Sequence, residues 1–399
     1  DAGPNALHTA AQTAHGSARK LGSAPFAKLR PGLEPGSAAS AHALILHDGE
    51  VPLSSFGLGT RRLTSLSVQD QAMVGGAVIA IDELEHGLEP HRLAHALRYL
   101  KMRADARELQ VMLTTHSPIT VETLAAEDLA VVRIDRETTT CLAVPDDLDN
   151  VQGAFRSAPS ALLGRRILVG EGATEVGFLR GLLRHWHEDR LGADEPLVSA
   201  VGTVIVNGGG GTQPTQRAQA FQRLGYPTLL LMDNDDRAVD AEAAAASTAG
   251  VAVERWTLGN AFEDEIVQAL SADGLQALVD LAVELRGEES VQAAVSSRLG
   301  DKPLTGTDIS QWQADADTDN ATLRTAIAGA AKGKKNNAWF KREDAGEALA
   351  AVVVVHAAGL EGTELMRVID RTRTFAFCQE PAPGDEAPLE ADVTGQPHD

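Results

Sequence analysis

Along the 399-residue chain, short apolar runs bounded by turn residues alternate with longer stretches carrying apolar side chains at helical spacing. From Ala41 the run HALILHD predicts a strand, Asp48-Gly49 a turn and the next residues a second short strand. A Gly/Ser-rich stretch then leads to a helix over about Thr60–Met73. The run AVIAI at 77–81 predicts a buried strand, followed by a helix from Pro90 to about Ala104. Further strands are expected at 109–115 (LQVMLTT) and near Leu129–Ile134. A second series begins at Arg165 with the strand RILVG and a helix over about 174–188. A strand at 203–206 ends in Gly208–Gly211, a helix covers about 213–224, and strands follow at 228–232 (TLLLM) and near 251–257. Alternation of this kind predicts an α/β fold with parallel strands. From Ala261 to about Ala331 the spacing turns helical, as in ALVDLAVELRG, and one more helix after KGKKNNAWFKR closes the fold.

The pattern divides the chain. Residues 1–40, rich in Ala, Gly, Ser and Pro with weak periodicity, read as a loop or remnant, so that 1–150 form a first, partial domain. The polar, turn-rich stretch 140–164 marks the boundary, with the linker placed at 151–164. Residues 165–380 form a second domain with a helical insertion at about 265–331. The Pro-rich, acidic residues 381–399 lack apolar periodicity and are expected to be disordered.

Composition sharpens this only in part. The chain is 43% hydrophobic, 23% charged and 4% aromatic, with a formal net charge of −21. That charge excludes a generally basic nucleic-acid coat, but not a nuclease, which needs clustered carboxylates and only a local basic patch. Any DNA binding is then expected to depend on metal and on salt. Cys141 and Cys378 lie far apart without metal-ligand spacing, which fits a reducing cytoplasm rather than a disulfide framework. The longest apolar run, Ala348–Val355, is too short for a membrane span, and the N-terminus lacks the apolar core of a signal peptide. No initiating Met is present, and the chain is expected to begin partway through a larger protein.

Two constellations carry chemistry. In AVIAIDELEHGLEPH a buried strand delivers Asp82 and Glu83 at its C-terminal end. An aspartate there can hold Mg²⁺ through water, and the adjacent glutamate can orient a water toward a γ-phosphate. This stretch resembles the Walker B and D-loop segment of ABC-type ATPases of the SMC kind. The strand LQVMLTT runs into His116-Ser117-Pro118, which resembles their switch histidine. Upstream, LSSFGLGTRRL resembles the ABC signature, in which Ser55 and Gly57 would bring backbone N–H groups close to phosphate. No GxxxxGK[ST] loop occurs in the chain, so no backbone cradle for the β- and γ-phosphates is expected, and ATP hydrolysis by this chain is not expected either.

In RILVGEGATEVGFL an apolar strand ends at Glu171, Gly172 permits a tight turn, and Glu175 falls in the first turn of the next helix. LLLMDNDD places Asp233 and Asp235 at another strand end, where positions i and i+2 of an extended chain point the same way. Four carboxylates so placed repel one another unless cations neutralise them, which is the physical case for metal. Glu263 and Glu265, in the cluster after strand 251–257, are the first choices for holding a second ion. Acids in a first helical turn also occur for the dipole alone. Gly208–Gly211 could offer bare N–H groups to phosphate or form only a tight loop. Lys341, beside Trp339 and Phe340 in a basic island with Lys332, Lys334 and Lys335, could stabilise charge on a scissile phosphate.

Glu at one strand end and Asp-x-Asp at another, separated by a βαβ span, resemble the Toprim fold. The ordered set LSSFGLGTRRL, AIDELEHGLEP, TTHSP, LVGEGATE, LLMDNDD and WFK, over roughly 41–380, resembles the OLD (overcoming lysogenisation defect) nucleases. The resemblance implies the C-terminal half of an ABC-type ATPase domain followed by a Toprim domain. It further implies a Mg²⁺- or Mn²⁺-dependent DNA endonuclease or nickase, with a role in anti-phage defence, that dimerises through the ATPase part and uses ATP when that domain is complete. Two-metal hydrolysis would place Glu171, Asp233 and Asp235 on one ion and Glu175 with the Glu263 cluster on the other. The alternative is a non-catalytic, ATP-gated DNA clamp or scaffold. Primase or topoisomerase chemistry is the weaker rival, since there is no zinc module and the only tyrosines, Tyr99 and Tyr226, lie in or beside predicted regular structure.

Overall fold

A computed structural model describes residues 4–22, 26–33, 44–72, 77–135, 138–144, 151–191, 193, 197–333 and 337–377. The chain forms two compact units, one comprising 1–147 with 151–163 and the other 148–150 with 164–399. The expected disordered tail at 381–399, Cys378, Lys334 and Lys335 lie outside the described residues. No helix among the described residues is long and apolar enough to cross a membrane.

The first unit begins with a helix, α1 (Pro4–Lys20), and a strand, β1 (Leu29–Leu33), where a loop was expected. Ala11, Ala14, Ala18 and Leu21 recur at helical spacing and are buried. Alanine buries a small face at no side-chain entropy cost, so this stripe escapes a reading tuned to Leu and Val. Strands β2 (Leu44–Asp48) and β3 (Val51–Pro52) join β1 in an antiparallel sheet. Helix α2 (Leu58–Ala72) precedes β4 (Ala77–Ile81), and α3 (Pro90–Asp105), with proline at its start, leads to β5 (Leu109–Leu113). Strands β4 and β5 pair in parallel, and Leu63, Leu66, Ile79, Leu93, Leu97, Leu100 and Leu109 form the core beside them. After α4 (Pro118–Thr123), strands β6 (Ala130–Asp135) and β7 (Thr138–Ala143) make an antiparallel hairpin, so among the described residues of this unit parallel pairing is confined to β4–β5. The stretch read as linker is ordered. It holds α5 (Val151–Ser157) and a 3₁₀ turn at Pro159–Leu163, anchored by buried Phe155 and Ala161. Its apolar residues are interrupted by Gly, Ser and Pro at no regular spacing, so periodicity does not reveal it.

Among its described residues the second unit is built on four parallel strands: β8 (Arg166–Gly170), β9 (Thr203–Asn207), β10 (Thr228–Met232) and β11 (Ala252–Arg255). Their order is β11-β10-β8-β9. The central strands RILVG and TLLLM are almost wholly buried, as continuous apolar runs in a doubly covered parallel sheet should be. Helices α6 (Ala173–Leu191), α7 (Val198–Val201), α8 (Gln213–Arg223) and α9 (Asp240–Thr248) connect the strands. Helices α10 (Phe262–Ala269), α11 (Ala272–Arg286), α12 (Glu288–Ser296), α13 (Ile309–Asp315) and α14 (Asn320–Ala331) fill the region where helical spacing was expected. Ser271, Asp308 and Asp319 cap α11, α13 and α14 through side-chain oxygens. Where one further helix was expected, the described residues after 340 form two: α15 (Glu343–Val355) and α16 (Glu364–Ala376). Leu168, Phe178, Leu231, Trp256, Phe262, Ile327, Phe340 and Leu349 belong to one continuous core.

From β8 the chain moves outward to β9, then crosses back to β10 and continues to β11. The loops after β8 and β10 therefore leave in opposite directions and open a crevice between the central strands. Crevices of this kind, at the carboxyl ends of parallel strands, are where ligands settle in α/β sheets.

Candidate metal centre

Both of the loops at that crevice carry the acidic residues singled out from sequence. Glu171 directly follows β8, and its backbone N–H donates to Leu231 O at 3.0 Å, extending the β8–β10 pairing. The Glu171 carboxylate accepts the Asp233 backbone N–H at Oε2, 2.8 Å away. Asp233 in turn accepts the Phe262 N–H at Oδ1, at 2.9 Å. Glu175, buried in the first turn of α6, accepts the Gly172 N–H at Oε2, at 2.8 Å. Each of these three carboxylates thus has one oxygen fixed by a backbone donor. The other oxygen of each has no hydrogen bond to another residue among the described ones.

The electrostatics follow from this convergence. Burial first, then Glu175, Glu171, Glu263 and Asp235, push the Asp233 carboxyl well above the ordinary carboxylate range. Glu175 is raised by burial and then by Glu263 and Glu171. Burial raises Glu171 as well, opposed by the Asp233 N–H, while Arg255 and Lys341 favour its charged form. Glu263 is buried and raised for that reason, with Lys341 and Lys332 opposing. These groups form one coupled set rather than independent acids. Asp235 is exposed and interacts with both Glu171 and Asp233.

The acidic pair proposed for a second ion separates. Glu263 joins the coupled set. Glu265 instead accepts from Thr257 N at 3.0 Å, Thr257 Oγ1 at 3.2 Å and Asn260 Nδ2 at 2.8 Å. Its carboxylate braces the 257–260 loop, because residues two apart on a helix face different directions.

Lys341 reaches the site through helix packing. Thr174 Oγ1 donates to Phe340 O at 3.1 Å, and Trp339 and Phe340 are buried as anchors. Gly177 and Gly346 let α6 and α15 approach closely. A Cβ at Gly177 would lie 2.0 Å from Glu343 O, and one at Gly346 would lie 2.3 Å from Thr174 O. The exposed Lys341 is close enough to favour the ionised forms of Glu171 and Glu263. Lys332 is instead paired with Asp264 at 2.6 Å.

The glycine loop resolves toward the tight-turn reading. Gly208 N donates to Gly170 O at 2.7 Å, Gly209 N to Asn207 Oδ1 at 2.9 Å and Gly210 N to Glu171 O at 3.0 Å. Two of its N–H groups are therefore engaged in holding the loop against the end of β8, and a third is taken by the Asn207 side chain at the end of β9.

An all-oxygen donor set suits hard cations such as Mg²⁺ or Mn²⁺, and mutual repulsion among buried carboxylates suits positive charge. By donor chemistry the residues fit a divalent ion. As they stand, no three or more His, Cys, Asp or Glu side chains among the described residues are grouped closely enough to hold a metal ion. The group is convergent but open.

In the first unit, parallel pairing of β4 with β5 brings Asp82 and Glu83 beside 114–116. Thr114 Oγ1 donates to Asp82, and Glu83 N donates to Thr114 Oγ1 at 3.0 Å. Glu83, with a φ of +46°, lies 2.6 Å from His86 Nδ1 and 3.8 Å from His116 Nε2. Ser55 and Gly57 are exposed just before α2. Within the same motif Gly59 packs tightly on the backbone after Asp82-Glu83: a Cβ there would lie 2.1 Å from Gly87 O.

Arg255 was also missed. Its Nε donates to Asp233 O at 3.2 Å and its Nη1 to Asp240 Oδ1 at 2.7 Å. An arginine inside the strand expected near 251–257 reads as an ordinary surface residue until the sheet order is known.

Comparison with known proteins matches residues 22–122 to the family described as AAA domain, putative AbiEii toxin, Type IV TA system. Among solved structures, one chain is described as "Structural biochemistry of ATP-driven dimerization and DNA stimulated activation of SMC ATPases". It aligns at a TM-score of 0.28 and 14% identity, over 35% of this chain and 86% of that chain. That TM-score carries no argument about this chain. Comparison with curated proteins gives no match. Residues 22–122 thus carry an ATPase-type domain segment, in a chain of α/β architecture with parallel strands.

Proposed function

We propose that the second unit is a Toprim-type centre for divalent-metal-dependent DNA endonuclease or nickase chemistry, regulated by the ATPase-type segment, as the resemblance to OLD nucleases implies. The observation that carries this reading is the set of Glu171, Glu175 and Asp233 at one crevice. Each has one oxygen held by a backbone N–H and the other left available. Backbone donors fix the carboxylates before any ligand arrives, which reduces the ordering required on binding.

Glu171, Asp233 and Asp235 would hold one Mg²⁺ or Mn²⁺ ion, and Glu175 with Glu263 the other. Bound there, such ions lower the pKa of a coordinated water and offset charge on the leaving oxygen. The protein's own part is to orient these carboxylates and to set Lys341 at the rim of the pocket, where its ammonium meets a phosphate diester. The partner is DNA, engaged by a homodimer formed through the ATPase part, and ATP acts where that domain is complete.

The test is incubation of supercoiled plasmid with Mg²⁺ or Mn²⁺, with and without EDTA. Nicking that needs the cation and is lost in Glu171→Ala and Asp233→Ala supports the proposal. Nicking untouched by either substitution sinks the assignment. EDTA-resistant DNA binding without cleavage in any divalent ion supports the clamp instead.

A further inference from the structure

Among the described residues, strand β11 is the edge of the sheet and pairs with β10 alone, with Arg255 in register with Met232. The side chain of Arg255 reaches over the end of β10 and meets the 233–240 segment at both ends. Nε holds the Asp233 carbonyl at 3.2 Å, and Nη1 holds the Asp240 carboxylate, at the first residue of α9, at 2.7 Å. Between these two points lie Asp235 and Asp236, whose side chain caps a 3₁₀ turn over Arg237–Val239. The third nitrogen, Nη2, is buried without a hydrogen-bond partner. Orphaned buried donors are unfavourable, and one kept beside a carboxylate cluster calls for a local reason.

We propose that Arg255 is a positioning residue that staples the 233–240 segment, so that Asp233 and Asp235 present their carboxylates together to a divalent cation. This rests on the metal reading above. Asp233 is then held on three sides: its N–H by Glu171, its carbonyl by Arg255 and its Oδ1 by Phe262 N–H. A freely moving 233–240 segment would let like-charged Asp233 and Asp235 swing apart, and the ion would have to overcome that entropy and repulsion on binding. A planar guanidinium can serve carbonyl and carboxylate at once through two nitrogens at fixed separation. A lysine ammonium, a single point on a flexible stem, serves one or the other.

Calorimetric titration of the whole chain with Mn²⁺, in wild type, Arg255→Lys, Arg255→Met and Asp240→Asn, tests this well below each variant's unfolding temperature. Weakening of Mn²⁺ affinity by about 10- to 100-fold in Arg255→Lys is expected, the range for residues that orient ligands. Asp240→Asn, which keeps the fold but loosens one end of the staple, should weaken it in the same direction. In plasmid nicking, kcat should fall in Arg255→Lys with KM for DNA unchanged. Wild-type Mn²⁺ binding with unaltered affinity in Arg255→Lys and Asp240→Asn overturns the inference alone. No Mn²⁺ binding by the wild type overturns the metal reading and this inference with it.

Discussion

Asp233 donates its backbone N–H to Glu171 Oε2 at 2.8 Å, so the end of one central strand fixes the carboxylate at the end of its neighbour. The bond crosses the crevice where β8 and β10 send their loops apart. It makes the two acids a single unit. Removing either side chain's charge should therefore act on both. Glu171→Gln and Asp233→Asn are expected to lower metal-dependent nicking by at least about 100-fold, the upper end of what even an orienting neighbour achieves. Far-UV circular dichroism should remain that of the wild type.

Glu265 provides the contrast. Although two residues from Glu263, it braces the 257–260 loop through three hydrogen bonds. Glu265→Ala should leave those donors without their acceptor and lower stability by about 1–3 kcal/mol. Glu263→Gln should weaken Mn²⁺ binding with little loss of stability. Thermal unfolding and Mn²⁺ titration of the two variants together check this, and a reversed pattern would return Glu265 to the ligand set.

The raised carboxyls predict a pH dependence of a particular sign. Glu175, Asp233, Glu171 and Glu263 all bind protons more tightly in the folded chain than in the unfolded one. Above the ordinary carboxylate range the folded state therefore holds more protons than the unfolded state, and stability falls as pH rises. Their stabilising effect is complete at acid pH and is lost as pH climbs through their raised values. The unfolding temperature of metal-free protein should drop between mildly acid and alkaline pH. Mg²⁺ should reverse the drop, because the cation favours the deprotonated carboxylates. A flat profile in EDTA would count against the coupled set.

Gly177 and Gly346 set how near α15 lies to α6, and through it where Lys341 stands. Gly346→Ala should force the helices apart, costing about 1–3 kcal/mol as overpacking does. It should also lower nicking by carrying Lys341 away from the carboxylates. Lys341→Ala should lower nicking by about 100-fold, as loss of one charge-stabilising donor typically does, while leaving the unfolding temperature unchanged. Equal activity in wild type and Lys341→Ala would remove the lysine from the site.

In the ATPase-type segment, the absence of a GxxxxGK[ST] loop predicts no phosphate release from ATP by the purified chain. Asp82→Asn should then leave nicking without ATP unchanged. ATP hydrolysis abolished by Asp82→Asn would show that another cradle serves the nucleotide.

Much of this molecule follows from local pattern. The runs RILVG and TLLLM locate β8 and β10, since a strand buried on both faces has to be continuously apolar; AVIAI locates β4 as well, but the buried strand expected there is not found, for Ile79 alone of its residues is buried and Val78 is exposed. The acids at the ends of β8 and β10 were equally legible, because charge directly after such a run marks the rim of a sheet. Sequence could not separate Glu263 from Glu265, nor reveal the alanine-lined α1 or the ordered stretch at 151–163. Tertiary structure decided which strand lies beside which, and only that adjacency lets Arg255 hold Asp233 and Asp240 together. The physical reason is one of range. Periodicity and turn chemistry act between residues a few positions apart, whereas the carboxylate cluster depends on contacts between segments tens of residues distant, which exist only once the sheet has assembled.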